Sequence, residues 1–306
     1  TRVIAPPSEV GRLSDAIETA IIDQAALGAA TARDGVPVPE LVRQLKASLA
    51  PHDHPFVHVG LTSQDVLDTA LALALKDCFA LLRERLLTLT RALGTLSQRD
   101  GNRTLMAMTR MQPAIPITSE KRIGAWRRPL DGLEVALEGV AERCLQLQWG
   151  GPVGIRPGPD ALQQGARFAA HLGLRDGSVC WHTDRSHLAD LANFLSKTTG
   201  ACGKIGQDVA LMAQLGADTL QLSGGGGSSA MPDKQNPILA EVLVALARRT
   251  AGDVASMHHA LIHEQERSGS AWLLEWLTLP QMLEAAACST TTAARLLGQI
   301  ERMGAP

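Results

Sequence analysis

Tyrosine is absent from the 306 residues, and all aromatics together make up 3% of them. Few stretches alternate polar and apolar residues with the period of two that marks a half-buried strand, so helix is expected to carry the fold. No apolar run approaches the ~20 residues that a membrane-crossing helix needs; the longest, such as Ala70–Leu75 and Val242–Ala247, are far shorter. A formal net charge of -2 gives no basic surface for a polyanion. Neither nucleic acid nor membrane is therefore an expected partner, and a small molecule is. The five cysteines (Cys78, Cys144, Cys180, Cys202 and Cys288) are odd in number and scattered, without the close pairs of a zinc site. They fit reduced, buried thiols in a cytoplasmic protein. No metal site and no cofactor are expected. Thr1 opens the chain without a signal-peptide pattern.

With 45% hydrophobic and 20% charged residues, the composition is that of a globular protein with ample material for a core. From Leu67 through Leu71, Leu75, Phe79, Leu82, Leu86, Leu89 and Leu93 to Leu96, apolar residues recur in steps of three and four, one face of a helix ~45 Å long. A second stripe runs from Leu188 to Met212 across Gly200, Gly203 and Gly206, glycines suited to close helix contact. A third runs from Ile123 to Leu147, with a kink expected at Pro129. A fourth helix is expected after Asn236-Pro237, with Asn236 as N-cap, and a fifth over Leu279 to Met303. Residues 1–55, broken by Pro37, Pro39, Pro51 and Pro55, read as shorter helices. The expected fold is thus all-α, an elongated helical bundle. It divides into an N-terminal helical domain (1–98), a central long-helix bundle (99–278) and the start of a C-terminal helical region (279–306).

The most informative segment is Gly224-Gly-Gly-Gly-Ser-Ser-Ala-Met-Pro-Asp-Lys-Gln-Asn-Pro237. Its glycines alone read as a linker. Ser228, Ser229, Lys234 and Asn236, however, put hydroxyls, a cation and an amide at a helix N-terminus, a set suited to a carboxylate. The spacing of a phosphate-binding P-loop is absent.

Gly-Ser-Ser-Ala-Met-Pro-Asp-Lys-Gln-Asn-Pro resembles the signature of the fumarase/aspartase superfamily. Two more stretches resemble its other regions, in the same order: His58-Val-Gly-Leu-Thr-Ser-Gln-Asp65, followed by Asp68-Thr69, and Thr109-Arg-Met-Gln-Pro-Ala-Ile-Pro116. Trp149-Gly-Gly, Trp181-His-Thr-Asp-Arg185, Glu264-Gln-Glu-Arg-Ser268 and Glu275-Trp-Leu-Thr-Leu-Pro280 look most like its lactonising cycloisomerases.

The resemblance implies a homotetramer of elongated bundles with active sites shared among three subunits. It also implies intramolecular addition of a carboxylate of a substituted cis,cis-muconate, a di- or tricarboxylate, to a double bond. Ser228 would be the proton-transfer group. Lys234, Asn236, Thr62 and Ser63 would hold carboxylate, His58 would be a proton donor or carboxylate ligand, and Ser229, Gln112 and Arg267 would bind substrate. From the residues alone, Thr62, Ser63 and Asp65 also read simply as helix-capping groups.

Superfamily lyases carry a histidine where this sequence has Arg110, and guanidinium does not exchange protons at ordinary pH. Glu241 matches that histidine's partner, so an Arg110–Glu241 ion pair is expected, across a subunit boundary. Asp233 and Gln235 replace residues often basic or histidine in the family, which leaves room for a changed anion such as a sulfo group. The rival readings are a fumarate-releasing lyase, such as adenylosuccinate or argininosuccinate lyase, and a non-catalytic scaffold of the same fold.

Overall fold

The structure is a computed structural model, and it describes residues 7–227, 229–231 and 235–305. They form two compact units, one comprising the chain up to Lys76, Leu145–Arg185 and His263–Ser268, the other Asp77–Cys144, Ser186–Ile262 and Gly269 onward.

The first unit opens with the short helices α1 (Pro7–Glu18), α2 (Gln24–Asp34) and α3 (Val38–Ala47) and a 3-10 turn at Pro51–Phe56. Asp23 caps α2 by accepting the N–H groups of Ala25 and Ala26, offsetting two of the donors that every helix start leaves open. Leu13, Leu49 and Val57 form the buried centre of this part, with Val10, Ile17 and Val42 packed on it. A second cluster gathers Leu147, Trp149 and Ala169, the last on α6 (Ala161–Leu172).

The long helix α4 extends over Ser63–Asp100, a turn beyond the expected stripe at each end. In the second unit its Thr90 hydroxyl donates to Glu134 of α5 (Ser119–Cys144) at 2.7 Å. Pro129 lies inside α5. At the centre of this unit is α7 (Ser186–Gln214), packed against α5, α8 (Ile238–His259) and α9 (Ser270–Gly298). Two glycines set the α7–α8 approach: a Cβ on Gly203 would meet the Ala247 methyl at 2.6 Å, and one on Gly206 the Ala240 carbonyl oxygen at 2.6 Å. A Cβ on Gly200 would meet nothing within 4 Å, so only two of the three glycines bring helices together. Trp126 on α5 donates its indole N–H to the buried Asp208 of α7 at 2.7 Å, which satisfies the one polar atom of a large core side chain.

Three expectations need correction. The last helix starts at Ser270 rather than Leu279, running through Pro280; a proline inside a helix removes a single backbone bond, and here it marks no boundary. After Gly298 the chain leaves the helix, and β4 (Ile300–Met303) pairs antiparallel with β3 (Leu220–Leu222). The N-cap of α8 is Pro237, not Asn236, because the Asn236 N–H and carbonyl are both bound to Gly226 at 2.8 Å. Finally, the helical reading missed an antiparallel hairpin, β1 (Thr104–Thr109) and β2 (Gln112–Thr118). Pro113 and Pro116 in the second strand depress its strand signal, and that strand is exposed along almost its whole length.

Candidate active site

Within the first unit, the start of α4 is held by side chains spaced three and four residues apart, so that Thr62, Asp65, Asp68 and Thr69 fall on one face. Asp65 is buried and uses both carboxylate oxygens twice. Oδ2 accepts from the N–H of Thr62 (2.9 Å) and Gly151 (2.8 Å), and Oδ1 from the N–H of Gly150 (2.9 Å), with His182 Nε2 at 2.8 Å. The bond back to Thr62 has the form of a capping box. Capping is therefore real, but the same carboxylate also ties two distant segments to the helix end.

One turn further on, Asp68 receives Arg185 through both guanidinium Nη atoms (2.6 and 3.1 Å), and the guanidinium lies 4.8 Å from the Trp181 ring centre. Thr69 exchanges hydrogen bonds with the backbone of Gln148. The Trp149-Gly150-Gly151 turn is braced from behind by Arg156, which donates to the Trp149 carbonyl at 3.0 Å and pairs with Asp176.

On this frame stand four residues singled out from the sequence. Thr62 is buried immediately before α4, and Ser63 is the first residue of the helix. Arg267 donates from Nη1 to the Thr62 hydroxyl at 2.5 Å, a bond across 205 residues of chain that puts a cation at the positive end of a helix, where a bound anion is favoured. His58 is half-buried in the left-handed backbone region (φ 62), a conformation uncommon for non-glycine residues. It lines an apolar cavity of about 580 Å³ together with Leu41, Val42, Phe56, Trp149 and Phe168. Burial lowers its pKa, against an opposing pull from Asp65, which favours the uncharged ring. For His182 the balance is reversed: burial acts against the charge, but the hydrogen bond to the Asp65 carboxylate helps outweigh it, and the pKa is raised to about 9.

The remaining residues belong to the second unit. Arg110 and Met111 form the two-residue tip of the β1–β2 hairpin, both with positive φ (48 and 67), the signature of a type I′ turn. Arg110, Met111 and Gln112 are all exposed there. Glu241 lies in the first turn of α8, where the helix dipole favours a negative charge. Among the described residues no ion pair joins it to Arg110 within the chain. The glycine-rich segment is not a free linker, since Gly226 and Asn236 close it with two backbone hydrogen bonds of 2.8 Å. A Cβ on Gly226 would lie 2.5 Å from Ile238, which makes this glycine a close-packing residue. Ser229 is exposed, and the Asn236 amide reaches the Gly227 carbonyl at 3.4 Å. Ser228 and Lys234 lie outside the described residues.

Sequence reasoning gave no role to His182 or to Gly150 and Gly151. Their signal was present as the motifs around Trp149 and Trp181, but nothing in the spacing told that both converge on Asp65.

The chain belongs to the lyase family, whose sequence profile matches residues 11–252, within the fumarase/aspartase superfamily. More narrowly, it resembles the cycloisomerases of that superfamily. It is 34% identical to the 3-carboxy-cis,cis-muconate cycloisomerase of Pseudomonas aeruginosa over 97% of this chain and 67% of that protein. The solved 3-carboxy-cis,cis-muconate lactonizing enzyme of Pseudomonas putida superimposes with a TM-score of 0.90 at 30% identity, covering 98% of this chain and 68% of that one. A fumarate lyase from Mesorhizobium sp. BNC1 also gives 0.90, at 27% identity over 98% and 68% of the two chains. The chain thus spans about two thirds of the length of these relatives. Among the described residues, no helix is long and apolar enough to cross a membrane.

Proposed function

We propose that the protein is a cycloisomerase that closes 3-carboxy-cis,cis-muconate, or a close analogue such as a sulfomuconate, to the muconolactone in aromatic catabolism. The observation that carries this reading is its 34% identity, along nearly its whole length, to a cycloisomerase of that name. Position 110 agrees with it. A lyase needs an acid for the departing group, and Arg110 cannot supply a proton, whereas an ionised carboxylate that attacks a double bond needs no such help.

In the addition, one carboxylate oxygen forms the new C–O bond. The π electrons shift to the neighbouring carbon and its carboxylate, which becomes an aci-carboxylate, and the carbon is then protonated. Donors placed where that charge grows lower the barrier. In this reading Ser228 delivers the proton, and Lys234, Asn236, Thr62 and Ser63 hold the charged carboxylate. His58, Gln112, Ser229 and Arg267 orient the substrate. These roles rest on the resemblance; for Thr62 and Arg267 they are supported by the cation and hydroxyl found together at the start of α4. We further propose a cytoplasmic homotetramer with active sites shared among subunits, which is supported by exposed apolar side chains such as Met111 and Ile115 on the hairpin and Leu273 and Leu277 on α9.

A spectrophotometric panel tests the function. Substituted cis,cis-muconates should lose their diene absorbance as the lactone forms, while adenylosuccinate and argininosuccinate stay unchanged. Fumarate release would establish the lyase reading instead, and silence on every substrate the scaffold reading.

A further inference from the structure

The interior of the first unit falls into two clusters, one centred on Leu13, Leu49 and Val57, the other on Leu147, Trp149 and Ala169. The cavity of about 580 Å³ takes its walls from both, with Val42 and Phe56 from the margin of the first and Trp149 and Phe168 from the second. Protein interiors are close-packed, with few voids larger than a water molecule, and a volume of this size is that of a pocket for a small organic molecule. Its aromatic wall is fixed in advance. Trp149 donates its indole N–H to the Gly60 carbonyl at 3.0 Å, carries the Arg156 guanidinium 5.3 Å from its ring centre, and meets Phe168 at 6.4 Å and 74°, an edge-to-face pair. Among the described residues no lysine, arginine or carboxylate side chain lines the cavity; the polar side chains there are those of His58 and, on α6, Gln164. A carboxylate entering it would be buried without a counter-charge, which is costly, so the cavity is no seat for the substrate of the proposed reaction. A neutral imidazole and an amide can each donate or accept a hydrogen bond, which suits a hydroxyl.

We propose that this cavity is a second binding site, for an uncharged aromatic molecule bearing a hydroxyl group. Its rings fill the space that the two clusters share, packed on Trp149 and Phe168, and its hydroxyl is held by Gln164 and His58. An occupant buries apolar surface on both clusters at once and so stabilises the fold.

The probe is 2-naphthol, uncharged at neutral pH, and naphthalene-2-carboxylate is its charged control. Titration calorimetry of the full chain should show one saturable site per chain for 2-naphthol, with the carboxylate about ten-fold weaker or more, and saturating 2-naphthol should raise the melting temperature. Leu45 also lines the cavity, and Leu45→Trp, which fills the space with a side chain of the protein's own, should abolish the binding. Gln164→Leu should weaken it about three- to ten-fold, the worth of one hydrogen bond. No saturable binding of 2-naphthol to the unaltered chain would overturn the proposal, as would equal affinity for the two probes or an unchanged affinity in folded Leu45→Trp. Should that variant fail to fold, Gln164→Leu decides: an unchanged affinity there overturns the proposal, because 2-naphthol would then be bound elsewhere. None of these readouts involves turnover, so the result stands apart from that of the substrate panel.

Discussion

His182 Nε2 stands 2.8 Å from Oδ1 of Asp65, and both side chains are buried. Burial opposes the ring's charge, yet with its hydrogen bond to Asp65 the pKa is raised from 6.5 to about 9. A group whose pKa is raised by folding stabilises the fold fully below its unfolded value and loses that contribution as pH climbs through the folded one. The urea midpoint should therefore fall as pH rises through about 9. In His182→Gln the same fall should be shallower; a slope equal to that of the unaltered protein would mean that the pair adds nothing to stability.

The α7–α8 contact offers a contrast between neighbouring glycines. Gly206→Ala forces a methyl to 2.6 Å from the Ala240 carbonyl oxygen and should cost ~1–3 kcal/mol through overpacking. Gly200→Ala, which meets nothing within 4 Å, should gain ~0.5–1 kcal/mol from reduced chain freedom in the unfolded state. Chemical denaturation of the two variants separates these outcomes by sign.

At the hairpin tip, Met111 occupies φ 67, a conformation that disfavours a side chain by roughly 1–2 kcal/mol. Met111→Gly relieves that strain but adds freedom to the unfolded chain, so a net gain of a few tenths to about 1 kcal/mol is expected. A higher melting temperature with lower turnover would show that the strain serves to aim the Arg110–Gln112 segment.

Ser228→Ala should leave melting unchanged and remove most muconate turnover, because it deletes the proton carrier and little packing. Lys234→Met should raise KM and lower kcat together, the pattern of a charge-assisted contact that strengthens in the transition state. Near-normal activity in the serine variant would refute its assigned role.

Arg110 and Glu241 are both exposed and unpaired with each other in a single chain, so the pair we propose forms between subunits. Arg110→Met and Glu241→Gln should each impair assembly and turnover, by up to ~3–5 kcal/mol if the assembled pair is buried. The double variant should recover part of the loss. Strictly additive effects would rule the pairing out.

The helices were legible because their cores repeat in steps of three and four: Leu82, Leu86, Leu89 and Leu93 are all buried along one face of α4. The hairpin was not, since two prolines disguise β2 and its side chains are exposed, leaving no alternating pattern to read. At the candidate site, the first region could be found from Thr62-Ser63-Gln64-Asp65 because helix starts have their own local chemistry. The groups that complete it could not. Gly150, Gly151 and His182 reach Asp65 from 85 to 117 residues away, and local spacing says nothing of contacts so remote.

Those separations bear on how the protein folds as it is made. Closing a loop costs more entropy as it lengthens, by ~0.6 kcal/mol per doubling, and distant contacts slow folding. When the stretch that starts α4 leaves the ribosome, Asp65 can satisfy only Thr62; the Gly150 and Gly151 amides must wait until the chain has passed position 151, and His182 comes later still. The Thr62 hydroxyl waits longer still, for Arg267, 205 residues downstream. A nascent chain arrested before position 150 thus carries a buried-type carboxylate with most of its hydrogen bonds unmade, and the Thr62 end of the helix is among the last parts of the first unit to gain all its partners.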